Sequence, residues 1–326
     1  MRMDINSSFQ IGGLSFAHRL IQGPLAGYTS APYRATFSAF QPPAYCVTEM
    51  ISAHDLLHRQ PARFVYKDPV EQKLAYQISG YDPRIMATAA EILQNLGADM
   101  IDINCGCPKS KIRKKGAGSA LLATPERIVQ IILAIKERIQ IPLTVKIRIQ
   151  GAEQDRQLAQ MIEQAGADAL VVHGRRWQDN YEQPCSHQDI AQIKRAVQIP
   201  VIANGDIADF ASLQTSLQET GCDAYMIARG GTGRPWLYQA LVEGKSQAQD
   251  WTFQNAIAVF MKHLQGLATL QTEYRAVLQS KTLVRYYFKP WIRREQLFAY
   301  YDLTTFKEIE QYLRNFSGIE HELRAT

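Results

Sequence analysis

The 326-residue chain has no apolar run long enough to span a bilayer, so no membrane segment is expected. Met1 to Phe9 is polar and leads into Ile11-Gly12-Gly13, unlike a secretory leader, and a cytoplasmic location is expected. Cysteine is scarce. The five thiols (46, 105, 107, 185, 222) are an odd number, mostly in apolar strand-like runs, which argues for reduced cysteines rather than a disulfide framework. Cys105-x-Cys107 has no second Cys/His pair nearby, so zinc spacing is missing and no metal is expected. No lone dinucleotide-type glycine fingerprint follows the first strand-like run, which weighs against an open doubly wound sheet. Neither sign of charge dominates. A net charge of +5 and a pI near 8.9 allow an anionic partner without requiring one, so the placement of the charges matters more.

What is present is a globular composition, 46% hydrophobic and 21% charged, with short apolar runs alternating with longer amphipathic ones from about residue 17 to 244. The spacing predicts eight strands: Arg19–Pro24, Tyr45–Met50, Leu74–Ile78, Met100–Asn104, Leu143–Ile147, Ala169–His173, Val201–Asn204 and Ala224–Ala228. Helical patterns lie between most of them, including Pro83–Leu96, Pro125–Arg138, Asp155–Gln164, Gln188–Val197 and Phe210–Glu219. Gly97-Ala98-Asp99, Gly166-Ala167-Asp168 and Gly221-Cys222-Asp223 each precede a strand, where a glycine suits the left-handed close of a helix. The strands are apolar nearly throughout, as expected when both faces are buried. Eight such units predict an α/β fold, a closed (β/α)8 TIM barrel over residues 1–244. Gly244 to Gln249 reads as a linker, and 245–326 as a small helical domain with helices over Phe253–Leu270, Glu273–Tyr287 and Thr304–Phe316.

Polar residues gather at the strand ends: Gln77, Asn104, Cys107, Lys146, Arg148, His173, Arg175, Asn204, Asp206 and Arg229. In a barrel all of these open onto one face, where the active site lies. The run Ile101-Asp102-Ile103-Asn104-Cys105-Gly106-Cys107-Pro108 is the most informative. It ends in two thiols and opens into Lys109-Ser110-Lys111-Ile112-Arg113-Lys114-Lys115, five cations in seven residues. A proton-donating tip beside a cationic loop suggests chemistry on a small group carried by a large polyanion.

Asp102-Ile103-Asn104-Cys105-Gly106-Cys107-Pro108 with Gly116-Ala117-Gly118-Ser119-Ala120-Leu121-Leu122 resembles the tRNA-dihydrouridine synthase family. Gly23-Pro24-Leu25-Ala26-Gly27, Tyr76-Gln77-Ile78-Ser79-Gly80, Val145-Lys146-Ile147-Arg148, Val172-His173-Gly174-Arg175, Val201 to Ile207 and Met226 to Gly230 follow in the family's order. The resemblance implies an FMN-binding barrel with a C-terminal helical RNA-binding domain. Its reaction would be reduction of uridine in tRNA to 5,6-dihydrouridine, with NADPH as electron source. It makes Cys107 the proton donor, since a thiol is largely protonated near neutrality, and Cys105 a strand-end filler.

For the cofactor, the same likeness points to Pro24, Leu25 and Ala26 under the flavin ring and Gln77 at its pyrimidine edge. Lys146 would stabilise reduced flavin and His173 would hydrogen-bond flavin or uracil. The ends of strands seven and eight (Asn204, Gly205, Asp206, Ala228, Arg229, Gly230) would hold the phosphate. On the substrate side stand Asn104, read as contacting an extruded uracil, Arg175, and the loop cations Lys109, Lys111, Arg113 and Lys114. A monomer is expected. Competing readings are an FMN barrel acting on free pyrimidines, and an RNA-binding protein whose flavin site has decayed.

Two stretches depart from the family pattern. Asp179 to Cys185 has no glycine where an aromatic-x-Gly segment is usual, and Lys281 to Phe288 differs as well. Arg275 to Arg294 holds six cations and no acid. Lys281, Arg285, Lys289 and Arg293 are spaced to share a helix face until Pro290, with Tyr286, Tyr287, Phe288 and Trp291 interleaved for packing or base stacking.

Overall fold

Residues 4–59, 62–245 and 251–323 are described by the computed structural model, the last seven of these by backbone alone. Residues 246–249 of the expected linker lie outside that range. A hairpin of β1 (Phe9–Ile11) and β2 (Leu14–Phe16) comes first. The barrel strands follow: β3 (Leu20–Gln22), β4 (Cys46–Val47), β5 (Ile51–Ser52), β6 (Leu74–Ser79), β7 (Met100–Cys105), β8 (Leu143–Arg148), β9 (Ala169–His173), β10 (Val201–Asn204) and β11 (Ala224–Ile227). All pairings in this sheet are parallel, and β11 returns to β3, so the ring closes as a (β/α)8 barrel. The hairpin plugs the N-terminal mouth: Phe9, Ile11 and Phe16 pack with Ile21, Tyr45, Met100, Val171 and Ile202 inside the barrel.

The second strand is broken rather than continuous over 45–50. β4 and β5 both pair with β6, and the chain leaves the ladder between them. The cause lies in two side chains. The Thr48 hydroxyl accepts from Gln77 N (3.0 Å), and the buried Glu49 carboxylate accepts from Gly27 N (2.5 Å). Thr48 N still bonds Ala75 O (3.0 Å), and beyond it side-chain bonds replace strand pairing.

The three Gly-x-Asp repeats have a two-part explanation. Gly97, Gly166 and Gly221 stand at φ +87°, +94° and +61° with open space around them, so glycine is needed for conformation and not for room. The aspartates then accept the first N–H of the neighbouring strand. Asp99 takes Leu74 N (2.8 Å), Asp168 takes Leu143 N (2.8 Å) and Asp223 takes Val201 N (2.7 Å). Lys67, Lys136 and Lys194 neutralise them at 2.7, 2.9 and 2.7 Å. Each repeat fastens one strand at the bottom of the barrel.

Strand alternation divides the core. On β7, Ile101, Ile103 and Cys105 pack with the surrounding helices, while Met100 joins the barrel interior and Asp102 and Asn104 share its face. Thr144, Lys146 and Arg148 share the inward parity of β8, and Lys146 is the register partner of Asn104. Cys105 is thereby turned away from the barrel mouth, and burial pushes its thiol far above the usual range.

The C-terminal helices Phe253–Leu270, Glu273–Tyr287 and Phe306–Leu323 enclose a separate core that includes Phe260, Leu264, Val284, Tyr287, Phe288 and Tyr300. At its junction with the barrel, Tyr33 donates to Gly231 O (2.6 Å), and the buried His263 meets the Tyr287 hydroxyl through Nδ1 (3.0 Å). Burial pushes the His263 imidazole down to about 3. Below pH about 6.5 the unfolded chain therefore binds a proton that the folded chain refuses. Stability contributed here falls as pH drops from about 6.5 toward 3, by about 1.4 kcal/mol per pH unit. Asp102 and Asp155, each raised to about 6 by burial, act in the opposite sense from pH about 6 down to about 4. His263→Gln, which can keep the Tyr287 bond, is expected to flatten the acid limb of Tm against pH. A limb parallel to the parent's would exclude His263 as its source.

Candidate active site at the C-terminal mouth of the barrel

Cys107 lies just past β7, partly exposed, with its backbone held from both sides. Its N–H donates to Asn104 Oδ1 (2.9 Å), beside Gly106 N on the same oxygen (3.2 Å). Its carbonyl accepts from Ser119 N (3.0 Å). Gly118, at φ +63°, permits that closure, since a Cβ there would stand 2.8 Å from the Cys107 oxygen. The thiol is placed by backbone bonds and is not left on a free loop.

The following loop forms a short helix, Ser110–Arg113. Lys109, Lys111 and Lys114 are exposed, as a phosphate-facing set requires, whereas Arg113 is half-buried. Arg113 donates to Ser119 Oγ (3.0 Å), and its guanidinium lies 3.4 Å above the Trp177 ring. It anchors the loop, so the expectation of a free phosphate contact does not describe its placement. Trp177 gave no sequence signal beyond being an aromatic close after the His173–Arg175 motif.

A ring of cations begins on the neighbouring strand β8. Lys146 Nζ donates to Asn204 Oδ1 (2.8 Å), and Asn204 Nδ2 to Met226 O (2.9 Å). Burial, with Arg148 nearby, pushes Lys146 down to about 8. Arg148 Nε donates to Gly106 O (2.8 Å), tying the thiol loop to this ring. His173 is held well below its ordinary range by burial and by Lys146, Arg148, Arg175 and Arg229, so it is a neutral imidazole within a positive field. That field fits an anionic ligand.

Arg175 was expected to face substrate, but it is 1% exposed and built into the wall. Its Nη2 binds the Asp206 carboxylate (2.8 and 2.6 Å) and its Nε binds Gln183 O (2.7 Å), while Nη1 is buried without a partner. Asp206 sits at φ 53°, the single non-glycine in the left-handed region among the described residues. Its carboxylate also takes Cys185 N (2.9 Å) and Arg229 (3.3 Å), and Arg229 lies 3.7 Å over the Tyr181 ring. The departing segment 179–185 therefore packs on the ends of β10 and β11. Gly205 and Gly230 are space-limited there: a Cβ would meet Cys185 Sγ at 2.4 Å and Ile207 O at 2.2 Å, respectively. With Ala228 they line a narrow turn at the two strand ends.

Gln77 and Asn104 are both buried and largely engaged. Gln77 Nε2 donates to Asp102 Oδ2 (2.7 Å), and its Oε1 accepts from Asn104 Nδ2 (2.8 Å). Each amide keeps one N–H for anything placed above it. Pro24, Leu25 and Ala26 follow β3 and are at least partly exposed. The next residue is gripped twice: Gly27 N by Glu49, and Gly27 O by Gln279 Nε2 (2.9 Å) from the helical region. Tyr28 meets Tyr286 edge-on at 5.5 Å.

The cationic stripe expected at 281–293 is not a continuous face. Lys281 donates to Tyr301 O (2.5 Å), and the helix ends at Tyr287. Arg275, Arg285, Lys289, Arg293 and Arg294 remain exposed, whereas Tyr287 and Phe288 are core residues.

Closed parallel barrel, polar C-terminal mouth and appended helices define a (β/α)8 protein with clustered cations near a backbone-held cysteine. The same fold occurs in a solved 2-naphthoyl-CoA reductase bound to 2-naphthoyl-CoA (TM-score 0.63, 11% identity, 76% of this chain and 53% of that one). It also occurs in an old yellow enzyme homologue from Zymomonas mobilis (TM-score 0.54, 13% identity, 76% and 95%). The chain belongs to the dihydrouridine synthase family, whose family model, described as Dihydrouridine synthase (Dus), matches residues 21–317. Among its relatives, tRNA-dihydrouridine synthase B of Vibrio vulnificus is 34% identical over 289 residues (86% of this chain, 89% of that one). The synthase B of Shewanella oneidensis is 33% identical over 320 residues (96% and 97%). Among the described residues no helix is long and apolar enough to cross a membrane.

Proposed function

We propose that this protein reduces uridine in tRNA to 5,6-dihydrouridine, with FMN bound at the barrel mouth, NADPH as reductant and Cys107 as proton donor. One observation carries the reading: the pinned thiol and the cation ring share a mouth, joined where Lys146 pairs with Asn104 and Arg148 holds Gly106. The residues present suit a phosphorylated flavin. The unpartnered Arg175 Nη1, the neutral His173 among four cations and the close-packed Gly205 and Gly230 make an anion cradle. Asn204, Asp206, Ala228 and Arg229 shape that cradle, Lys146 would sit by the ring, and Pro24–Ala26 would lie beneath it. When bound, reduced flavin supplies a hydride. Cys107 then gives its Sγ proton to the other carbon of the uracil double bond and regains one from solvent. The spare N–H groups of Gln77 and Asn104 orient the pyrimidines.

Lys109, Lys111 and Lys114 would hold the phosphates around an extruded nucleotide, and the helical domain from residue 245 would carry further RNA contacts through Arg285 and Lys289. All named groups come from one chain, so a monomer suffices. Changing Lys109, Lys111 and Lys114 together to Gln is expected to weaken tRNA binding and lower its log-log salt slope by roughly 0.7 to 0.9 for each phosphate no longer neutralised. An unchanged slope in a filter-binding titration would take the loop out of the interface. The deciding experiment incubates holoenzyme, NADPH and unmodified tRNA and maps dihydrouridine by mass spectrometry. Site-specific product is expected. Turnover of free uracil with none on tRNA would favour the small-molecule reading instead.

A further inference from the structure

Asp102 is a carboxylate inside the barrel, 1% exposed, and the proposed chemistry gives it no task. Such a group is costly unless every oxygen is bonded, and here both are. Thr144 Oγ1 donates to Oδ1 (2.6 Å) and Gln77 Nε2 to Oδ2 (2.7 Å). Burial raises its pKa to about 6, which leaves it ionised near neutrality.

An ionised carboxylate only accepts, so Gln77 must turn its NH2 end toward Asp102. Its carbonyl end then faces β7's next inward residue and can only accept. Asn104 must therefore present Nδ2 to it (2.8 Å), which leaves Oδ1 for the N–H groups of Gly106 and Cys107 (3.2 and 2.9 Å). The negative charge at one end and the two loop N–H groups at the other thus agree on one orientation of two amides in series, which links Asp102 to the backbone of the thiol. We propose that Asp102 is a positioning residue for proton delivery, holding the Cys107 loop in place through Gln77 and Asn104. The inference rests on the reading of Cys107 as proton donor.

The direct test is Asp102→Asn in FMN-loaded enzyme. An asparagine can offer its own NH2 to Gln77, reverse both amides and set Asn104 Nδ2 against the two loop donors. Flavin content and the rate of flavin bleaching by NADPH should stay at native values. kcat and the rate of flavin reoxidation by tRNA should fall roughly ten- to a hundred-fold, as a displaced reacting group costs about that much. Because the effect passes through the thiol, Asp102→Asn should add almost nothing in a Cys107→Ala background. Native kcat in the single variant, or losses that multiply in the double variant, would overturn the proposal. If Asp102→Asn fails to fold, Thr144→Val removes one of the two bonds to the carboxylate and should show a smaller fall in kcat. Native kcat there would equally overturn it. A native holoenzyme inactive on tRNA would instead bring down the functional reading, and this inference with it.

Discussion

Replacing Cys107 with Ala is expected to slow uridine reduction by roughly 10²- to 10⁴-fold, the usual contribution of a positioned general acid. FMN should stay bound and NADPH should still bleach it, because the cation ring and the cradle do not include the thiol. The loss should appear only when tRNA reoxidises the flavin. Cys105 gives the internal comparison. It is the nearer thiol to the strand, yet alternation points it at the helices, fully buried and with its thiol pushed far up. Cys105→Ala should cost stability through a small cavity and leave reduction of bound substrate intact. Stopped-flow traces on both variants separate the two thiols, and native reoxidation in Cys107→Ala would remove it as the acid.

Gly230→Ala is expected to leave the barrel without flavin. The added Cβ would stand 2.2 Å from Ile207 O and 2.8 Å from Ala208 Cα, both backbone, so nothing flexible can yield. Gly230 does not lie in the left-handed region, so the effect is one of space alone. The turns after β10 and β11 must separate, and with them the wall that carries Asp206 and Arg229. Gly97→Ala is the contrasting case, with open space but φ +87°, so it should cost roughly 1 kcal/mol in stability without touching the site. Absorbance of the purified variants, with far-UV circular dichroism to confirm folding, makes the comparison. Stoichiometric FMN in Gly230→Ala would refute the cradle.

Much of the fold was legible because its signals are local. The helices at Phe253–Leu270 and Glu273–Tyr287 fall where the periodicity placed them. Seven of the eight strands differ from their expected ends by two residues at most, and the left-handed glycines close their helices as read. The second strand did not follow the pattern, because Thr48 and Glu49 find partners on Gln77 and Gly27, which lie far off in sequence. Cations misled because their partners leave no periodic signal in the chain. Arg113, Arg175 and Lys281 look like free positive charge in the chain, but Ser119 and Trp177, Asp206, and the Tyr301 carbonyl occupy them.

From the sequence alone followed the barrel, the appended helices and the family likeness. These depend on alternation, helix period and glycine conformation, properties of neighbouring residues. Only the folded chain decided that Cys105 is buried against the helices, which cations are held by other residues, and how Asp102, Gln77 and Asn104 bond in series. Each of those depends on neighbours that no local pattern announces, and it exists only once the chain has folded.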